Sequence, residues 1–241
     1  MDIRTISKNL LRLSREQGPG AAIRCIGRRA LTRFREWRYG IQTEGVIYLG
    51  DLGLNDCERG EYGPSDYDDF KALMALVQIK SGQDVFLDFG AGLGRAVVLA
   101  ATYPFRRVIG VELSEQLGEA ARQNIGRARA SFRCADTDIV TCDATLYEVP
   151  SDVTVIYFNN PFYGDVLERV LSNLQRSLVG PPGRISLVCN LPPESPFETQ
   201  IRVKTWLALQ CEVALPSGRR GLVFEAGVNS RRPKPSQEHS Q

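Results

Sequence analysis

The sequence predicts an α/β protein, a mostly parallel sheet that is covered by helices and closes with an antiparallel hairpin. Three observations predict it. Val85-Phe86-Leu87-Asp88-Phe89 is a nearly continuous apolar run, as in a strand buried on both faces. From there, short apolar runs alternate with helical patterns, which implies parallel strands joined by right-handed crossovers. Near the end, Pro216-Ser217-Gly218-Arg219 separates two extended candidates, Gln200 to Leu215 and Arg220 to Ala226, as a hairpin turn does.

The elements follow in order. Ile3 to Gln17 carries Ile3, Ile6, Leu10, Leu11 and Leu13 at helical spacing and ends at Gly18-Pro19-Gly20. Ala21 to Trp37 reads as a second amphipathic helix, apolar at Ile23, Ile26, Ala30, Leu31 and Phe34 and arginine-rich on its other face. Gly45 to Gly53 contains a short extended piece, and a turn-rich acidic and aromatic loop runs from Asn55 to Asp69. Phe70 to Ile79 reads as a helix. Within the alternating region, Gly92 to Thr102 is helical, Arg107 to Glu112 a strand, and Ser114 to Ala128 a helix with Ser114 as its N-cap. Ala130 to Cys134 is expected as a third strand and Asp152 to Phe158 as a fourth. Tyr163 to Leu178 is a helix and Arg184 to Cys189 a fifth strand. These readings divide the chain into a helical lead-in with its loop (1–61), a main α/β domain (62–229) and a polar tail (230–241) expected to be disordered.

Composition narrows the classes. With 241 residues, 43% of them hydrophobic, the chain is long enough for one full-sized domain. Thirty basic and 28 acidic residues leave a net charge of +2, so no global case exists for a nucleic-acid binder. A local one remains at Arg24, Arg28, Arg29, Arg33, Arg35 and Arg38, set against the single acid Glu36. The six cysteines are scattered without a Cys-x-x-Cys pair and read as free thiols in a reducing compartment. One histidine, His239, gives no zinc ligand set, and no metal site is expected. No run reaches transmembrane length and no signal-peptide core opens the chain, so a cytoplasmic protein without a membrane partner is expected.

Asp88-Phe89-Gly90-Ala91-Gly92-Leu93-Gly94 follows the first strand and opens a helix. Glycines let the backbone turn tightly and come close to a ligand. A dinucleotide fingerprint is Gly-x-Gly-x-x-Gly; here the third glycine comes one residue early and Arg95 follows it. Glu112 ends the next strand 22 residues after Gly90, where a Rossmann-like fold brings an acid over a ribose. It also fits a simple helix-start acid. Cys142-Asp143-Ala144 lies between the third and fourth strands, with Asp136 and Asp138 as rivals to Asp143. Val155-Ile156-Tyr157-Phe158-Asn159-Asn160-Pro161-Phe162-Tyr163 closes an apolar strand with two amides, a proline and two aromatics, in the place where open α/β sheets bind ligands. A strand-ending turn accounts for the same residues.

Together these motifs resemble the class I, seven-strand, Rossmann-like methyltransferases that use S-adenosyl-L-methionine. The resemblance runs from Tyr62 to Ala226. It implies that Asp88 anchors the methionyl ammonium, that Gly90, Gly92 and Gly94 pass against the cofactor, and that Glu112 grips the ribose hydroxyls. Asp143 and Ala144 would hold the adenine, and Tyr62 would line a loop over the cofactor. The corner resembles motif IV of amino-group methyltransferases, with Asn160 in place of a proline, and the Asn-Asn pair is also similar to histone-lysine methyltransferases that lack a SET domain. By that resemblance Asn159 orients an acceptor amine, Asn160 and Pro161 complete the corner, and Phe162 walls the acceptor pocket. The acceptor, a protein lysine or a small amine, is not identified. The alternatives are a non-catalytic cofactor-binding or RNA-associated module and a nucleotide-dependent dehydrogenase.

Overall fold

The computed structural model describes residues 18–45, 47, 50, 63–177 and 184–227. The expected Ile3 to Gln17 helix, Tyr62 and the polar tail lie outside them, as does most of the Gly45 to Gly53 piece.

Seven strands form one sheet: β1 (Val85–Phe89), β2 (Arg107–Glu112), β3 (Asp136–Thr141), β4 (Val155–Phe158), β5 (Arg184–Leu191), β6 (Leu207–Ala214) and β7 (Arg220–Gly227). Their order is β3-β2-β1-β4-β5-β7-β6. The first five are parallel, and β7 runs antiparallel between β5 and β6. Six helices accompany them: α1 (Pro19–Tyr39), α2 (Tyr67–Met74), α3 (Arg95–Ala101), α4 (Glu115–Ala128), α5 (Gly164–Ser177) and α6 (Pro196–Arg202). The period-2 alternation of the strands divides the core into two layers. Phe86, Val108, Val155, Tyr157 and Val188 face α2, α3 and α4. Val85, Leu87, Phe89, Ile109, Ile156 and Phe158 face α5 and α6. A sheet covered on both faces is the three-layer architecture the sequence predicts.

Two expected strands are corrected. The third is Asp136–Thr141, and Ala130 lies in a 3-10 turn, Arg129–Ser131. As an edge strand, β3 needs few apolar residues: Asp136 and Asp138 stay outside and pair with Arg107 of β2, leaving too weak an apolar signal to locate it. The expected Gln200 to Leu215 strand is the end of α6 followed by β6. Ser195-Pro196 opens α6 with proline in its first turn, and Phe197 and Ile201, four apart, are buried under the sheet. The Phe70 to Ile79 helix begins earlier, at Tyr67, because Asp66 caps the backbone N–H of Asp68 and Asp69.

α1 is amphipathic as expected, but it turns its polar side to the domain. Ile23, Ile26, Phe34 and Trp37 are exposed, Trp37 by 77%, whereas Glu36 is buried. The reason is Arg95. This side chain, 4% exposed at the start of α3, donates through Nη2 to Glu36 Oε1 (3.0 Å), through Nε to Thr43 Oγ1 (2.6 Å) and through Nη1 to Ser65 O (3.2 Å). The Tyr67 ring covers it at 4.9 Å. A guanidinium buried at the glycine loop demands a carboxylate, and α1 supplies it at the expense of its apolar face.

Removing one partner of a buried pair leaves an uncompensated charge. Glu36→Ala is expected to cost about 3–5 kcal/mol of unfolding free energy. Asp152→Ala, which breaks the half-exposed pair with Arg106, is expected to cost about 0–1 kcal/mol. The double variant Glu36→Met/Arg95→Met should recover much of the loss. Urea unfolding of the variants measures all three.

Candidate active site

Strand register brings the predicted motifs to one edge of the sheet. Phe89 lies beside Val111 and Phe158, and Glu112 beside Thr141. The segments after β1, β2, β3 and β4 therefore all emerge at the carboxyl ends of the parallel strands, where such sheets bind ligands.

The glycine loop requires its glycines. Gly90, Gly92 and Gly94 have φ of 76°, 54° and 81°, a region L side chains rarely adopt. A Cβ on Gly90 would stand 2.8 Å from Cβ of Pro161, and one on Gly94 would stand 3.0 Å from Cβ of Ala121. The first contact seats the glycine loop directly on the asparagine corner. Asn124 of α4 holds the loop from behind, donating to Leu93 O (2.9 Å) and to Gln42 O (3.1 Å).

Two carboxyls are buried here. Glu112 accepts from Gly92 N–H through Oε2 (2.7 Å) and from Ser114 N–H through Oε1 (2.9 Å). Burial pushes its pKa up, and these backbone donors oppose the shift. Asp88 is 2% exposed and makes no side-chain hydrogen bond among the described residues. Burial first, and the neighbouring Glu112 second, raise its pKa well above the ordinary carboxylate range. Asp143 lies two residues past β3, its Oδ1 accepting from Thr145 N–H (2.8 Å) and Oγ1–H (2.9 Å). Ala144 packs on the α5-side core.

At the corner, Asn159 donates from Nδ2 to Gly63 O (2.9 Å) and accepts at Oδ1 from Arg219 Nη2 (3.4 Å). Asn160 has a φ of 53° and accepts from Ser195 Oγ–H at 2.6 Å. Phe162 is 5% exposed and packs edge-on against Phe89 and Phe158, anchored in the core beside the corner. Behind it the Tyr157 hydroxyl, fully buried, contacts Ser65 Oγ (3.1 Å) and Asn190 Nδ2 (3.4 Å); burial raises its pKa.

Sequence reasoning missed Ser65, Asn190 and Arg219. Asn190 is a lone amide in the apolar β5, a signal of the same kind as the Asn159-Asn160 pair. Arg219 was legible only as a turn residue, because its placement depends on the antiparallel β7. The five described cysteines, Cys25, Cys134, Cys142, Cys189 and Cys211, are free, and among the described residues no helix is long and apolar enough to cross a membrane.

Six strands that run one way, an inserted antiparallel β7 and a glycine loop backed by two buried acids define the class I, Rossmann-like methyltransferase fold. Solved structures agree on the fold. An RNA methyltransferase from Salinibacter ruber, crystallised with S-adenosyl-L-homocysteine, superposes with a TM-score of 0.52 at 20% identity, covering 71% of this chain and 97% of that one. A SAM-dependent methyltransferase from Aquifex aeolicus gives 0.52 at 13% identity, over 66% and 89%. Residues 59–180 match the family model described as histone methylation protein DOT1, and the chain belongs to this methyltransferase family. It is also similar to ribosomal protein L11 methyltransferases. That of Burkholderia multivorans is 31% identical over 109 residues, 45% of this chain and 32% of that protein. That of Burkholderia thailandensis is 32% identical over 153 residues, 63% and 45%. The chain thus spans about a third to a half of the length of these relatives.

Gly90→Ala is expected to destabilise the protein by about 1–3 kcal/mol through its contact with Pro161. Gly82 also has a positive φ, 68°, but open space around it, so Gly82→Ala should cost less. Thermal melting of the two variants checks the difference.

Proposed function

We propose that this protein transfers a methyl group from S-adenosyl-L-methionine to an amino nitrogen, of a protein lysine or a small amine. The observation that carries the reading is Asp88, a buried carboxyl without a hydrogen-bond partner among the described residues, beside the glycine loop and Glu112. Such an acid fits a cationic ligand, and this cofactor carries both an ammonium and a sulfonium. The sulfonium supplies an electrophilic methyl.

The chain's own residues bind and align. Gly90 and Gly92 let backbone approach the ligand, and Asp88 balances the methionyl ammonium. Glu112, held by two backbone N–H groups, keeps lone pairs for the ribose hydroxyls. Asp143 and Ala144 flank the adenine side. In-line displacement chiefly requires alignment and exclusion of water. Asn159, fixed by Gly63 O on one side, presents its amide at the corner where an acceptor enters. Asn160 and Pro161 set the turn, and Phe162 backs it. The family name, of histone methylation proteins, and the names of the L11 relatives support a protein amine as acceptor.

Calorimetry tests the cofactor first. S-adenosyl-L-homocysteine should bind and NAD should not bind comparably; tighter binding of NAD would overturn the reading. Glu112→Ala should weaken binding by about 1.5–3 kcal/mol without loss of fold. The pH dependence has a definite sign. Asp88 holds a proton to higher pH when the site is free, and a cation beside it favours the ionised form. Affinity should therefore rise with pH through that elevated range and level off above it, with proton release on binding. Calorimetry in two buffers of different ionisation enthalpy counts the proton, and Asp88→Asn should abolish the release.

Asn159→Ala separates alignment from binding. Cofactor affinity should stay near wild type while single-turnover transfer to acceptors in host-cell extract falls about a hundredfold. A folded variant transferring at the wild-type rate would return the corner to a strand-ending turn.

A further inference from the structure

The turn between β6 and β7 reaches the same sheet edge as the asparagine corner, because β7 begins at Arg220 opposite Leu191, the last residue of β5. It is built rigidly. Ser217 donates its backbone N–H to Asp69 Oδ1 (2.9 Å) and its hydroxyl to Asp69 Oδ2, and Asp69 is fully buried in α2. Leu215 N–H closes the turn on Arg219 O at 2.9 Å.

This frame fixes the Arg219 guanidinium. Nε donates to Asn190 Oδ1 (2.7 Å), and Nη2 donates to Asn190 O (2.7 Å) and to Asn159 Oδ1 (3.4 Å). Nη1 makes no hydrogen bond among the described residues, and Arg219 forms no ion pair with them. Its neighbour Arg220 shows the contrast, meeting both Glu198 and Glu212. Burial pulls the Arg219 pKa down, and the opposing influence of the Asp69 carboxylate does not outweigh it. A half-buried guanidinium without a counter-ion is costly, and its rigid fork suits a carboxylate or phosphate.

We infer that Arg219 receives an anionic group, a carboxylate or a phosphate, carried by the methyl acceptor close to the atom that is methylated. The inference rests on the methyltransferase reading of the corner. It makes Arg219 a specificity residue: the acceptor is selected by an anion next to its nucleophile, and a bare cationic chain is disfavoured beside the guanidinium.

The test needs no identified acceptor. Protein saturated with S-adenosyl-L-homocysteine is titrated with inorganic phosphate and, separately, with acetate, at an ionic strength held constant with chloride. The arginine Nε–H resonances are followed by NMR, with Arg219 assigned from the signal missing in Arg219→Lys. The expected result is a saturable shift of the Arg219 signal in the wild type. Arg219→Gln should bind the anion about tenfold more weakly or worse while retaining its affinity for S-adenosyl-L-homocysteine. Saturation by phosphate alone narrows the acceptor's anion to a phosphate, and saturation by acetate as well supports the inference with either anion. An Arg219 signal that moves with neither anion overturns the inference, and so does equal anion binding by Arg219→Gln. The wild-type titration decides even if the variant fails to fold. Failure of S-adenosyl-L-homocysteine to bind the wild type would instead defeat the methyltransferase reading, which the two ligands report separately.

Discussion

The buried guanidinium of Arg95 is the interaction around which the amino-terminal half of the site is arranged. It lies immediately after the last glycine of the loop, so its position is set by the loop's left-handed turn. Its three nitrogens then gather Glu36, Thr43 and Ser65 from segments distant in sequence. Each partner has a second task. Glu36 Oε1 also accepts from Thr43 N–H and Oγ1–H at 2.7 Å, which folds the chain after α1 against the loop. Ser65 carries the hydroxyl that meets Tyr157. One desolvated cation thus joins α1, the segment entering α2 and the glycine loop into a single polar cluster. Such a cluster is most stable when every member is satisfied, and each of the three Arg95 nitrogens finds an acceptor.

The carboxyl-terminal half is organised by amides. Asn160 and Asn159 reach segments that no backbone ladder joins to β4, Asn160 the one before α6 and Asn159 that of Gly63, while Asn190 on β5 ties the Tyr157 hydroxyl of the neighbouring β4 to Arg219 beside the start of β7. An amide both donates and accepts, which suits a junction where carbonyls, hydroxyls and a guanidinium converge. The inserted β7 is what makes this possible. β6 runs in the direction of β1 to β5 and is reached through α6, whereas the antiparallel β7 follows it by a tight turn, which delivers Arg219 to the ligand edge.

Much of this was legible in the sequence. The apolar run Val85 to Phe89, the glycine spacing and the acid at Glu112 located the first two strands and the loop between them, because buried parallel strands and positive-φ turns leave strong local signals. The asparagine corner was legible for a related reason: amides at the end of an apolar strand are poor packing material. The failures share a cause as well. The edge strand β3 carries its aspartates outward, and α6 is only two turns long, so neither imposes a clear period. The α1 helix was legible as a helix, but its pattern reports an apolar face without saying which way that face points. A buried ion pair, formed across 59 residues of sequence between Glu36 and Arg95, outweighed burial of Ile23, Ile26 and Trp37. No local reading reveals that competition.

The two halves of the site differ in charge, and Tyr157 lies electrically between them. Asp88 raises the pKa of its hydroxyl and Arg219 lowers it, so both fields reach this fully buried group. On the proposed reading, the acidic half faces the cofactor and the cationic half faces the acceptor. Such a polarity has chemical consequences. A carboxylate near the glycine loop stabilises a cationic ligand in the ground state, and methyl transfer then discharges the sulfonium, whose positive charge moves with the methyl toward the acceptor. A guanidinium on the receiving side opposes that movement unless an anion lies beside it. The electrostatics therefore favour an acceptor that brings its own negative charge, which neutralises Arg219 on binding and leaves the incoming positive charge with a partner. A site of this kind selects its acceptor through the charge balance of the reaction as well as through shape.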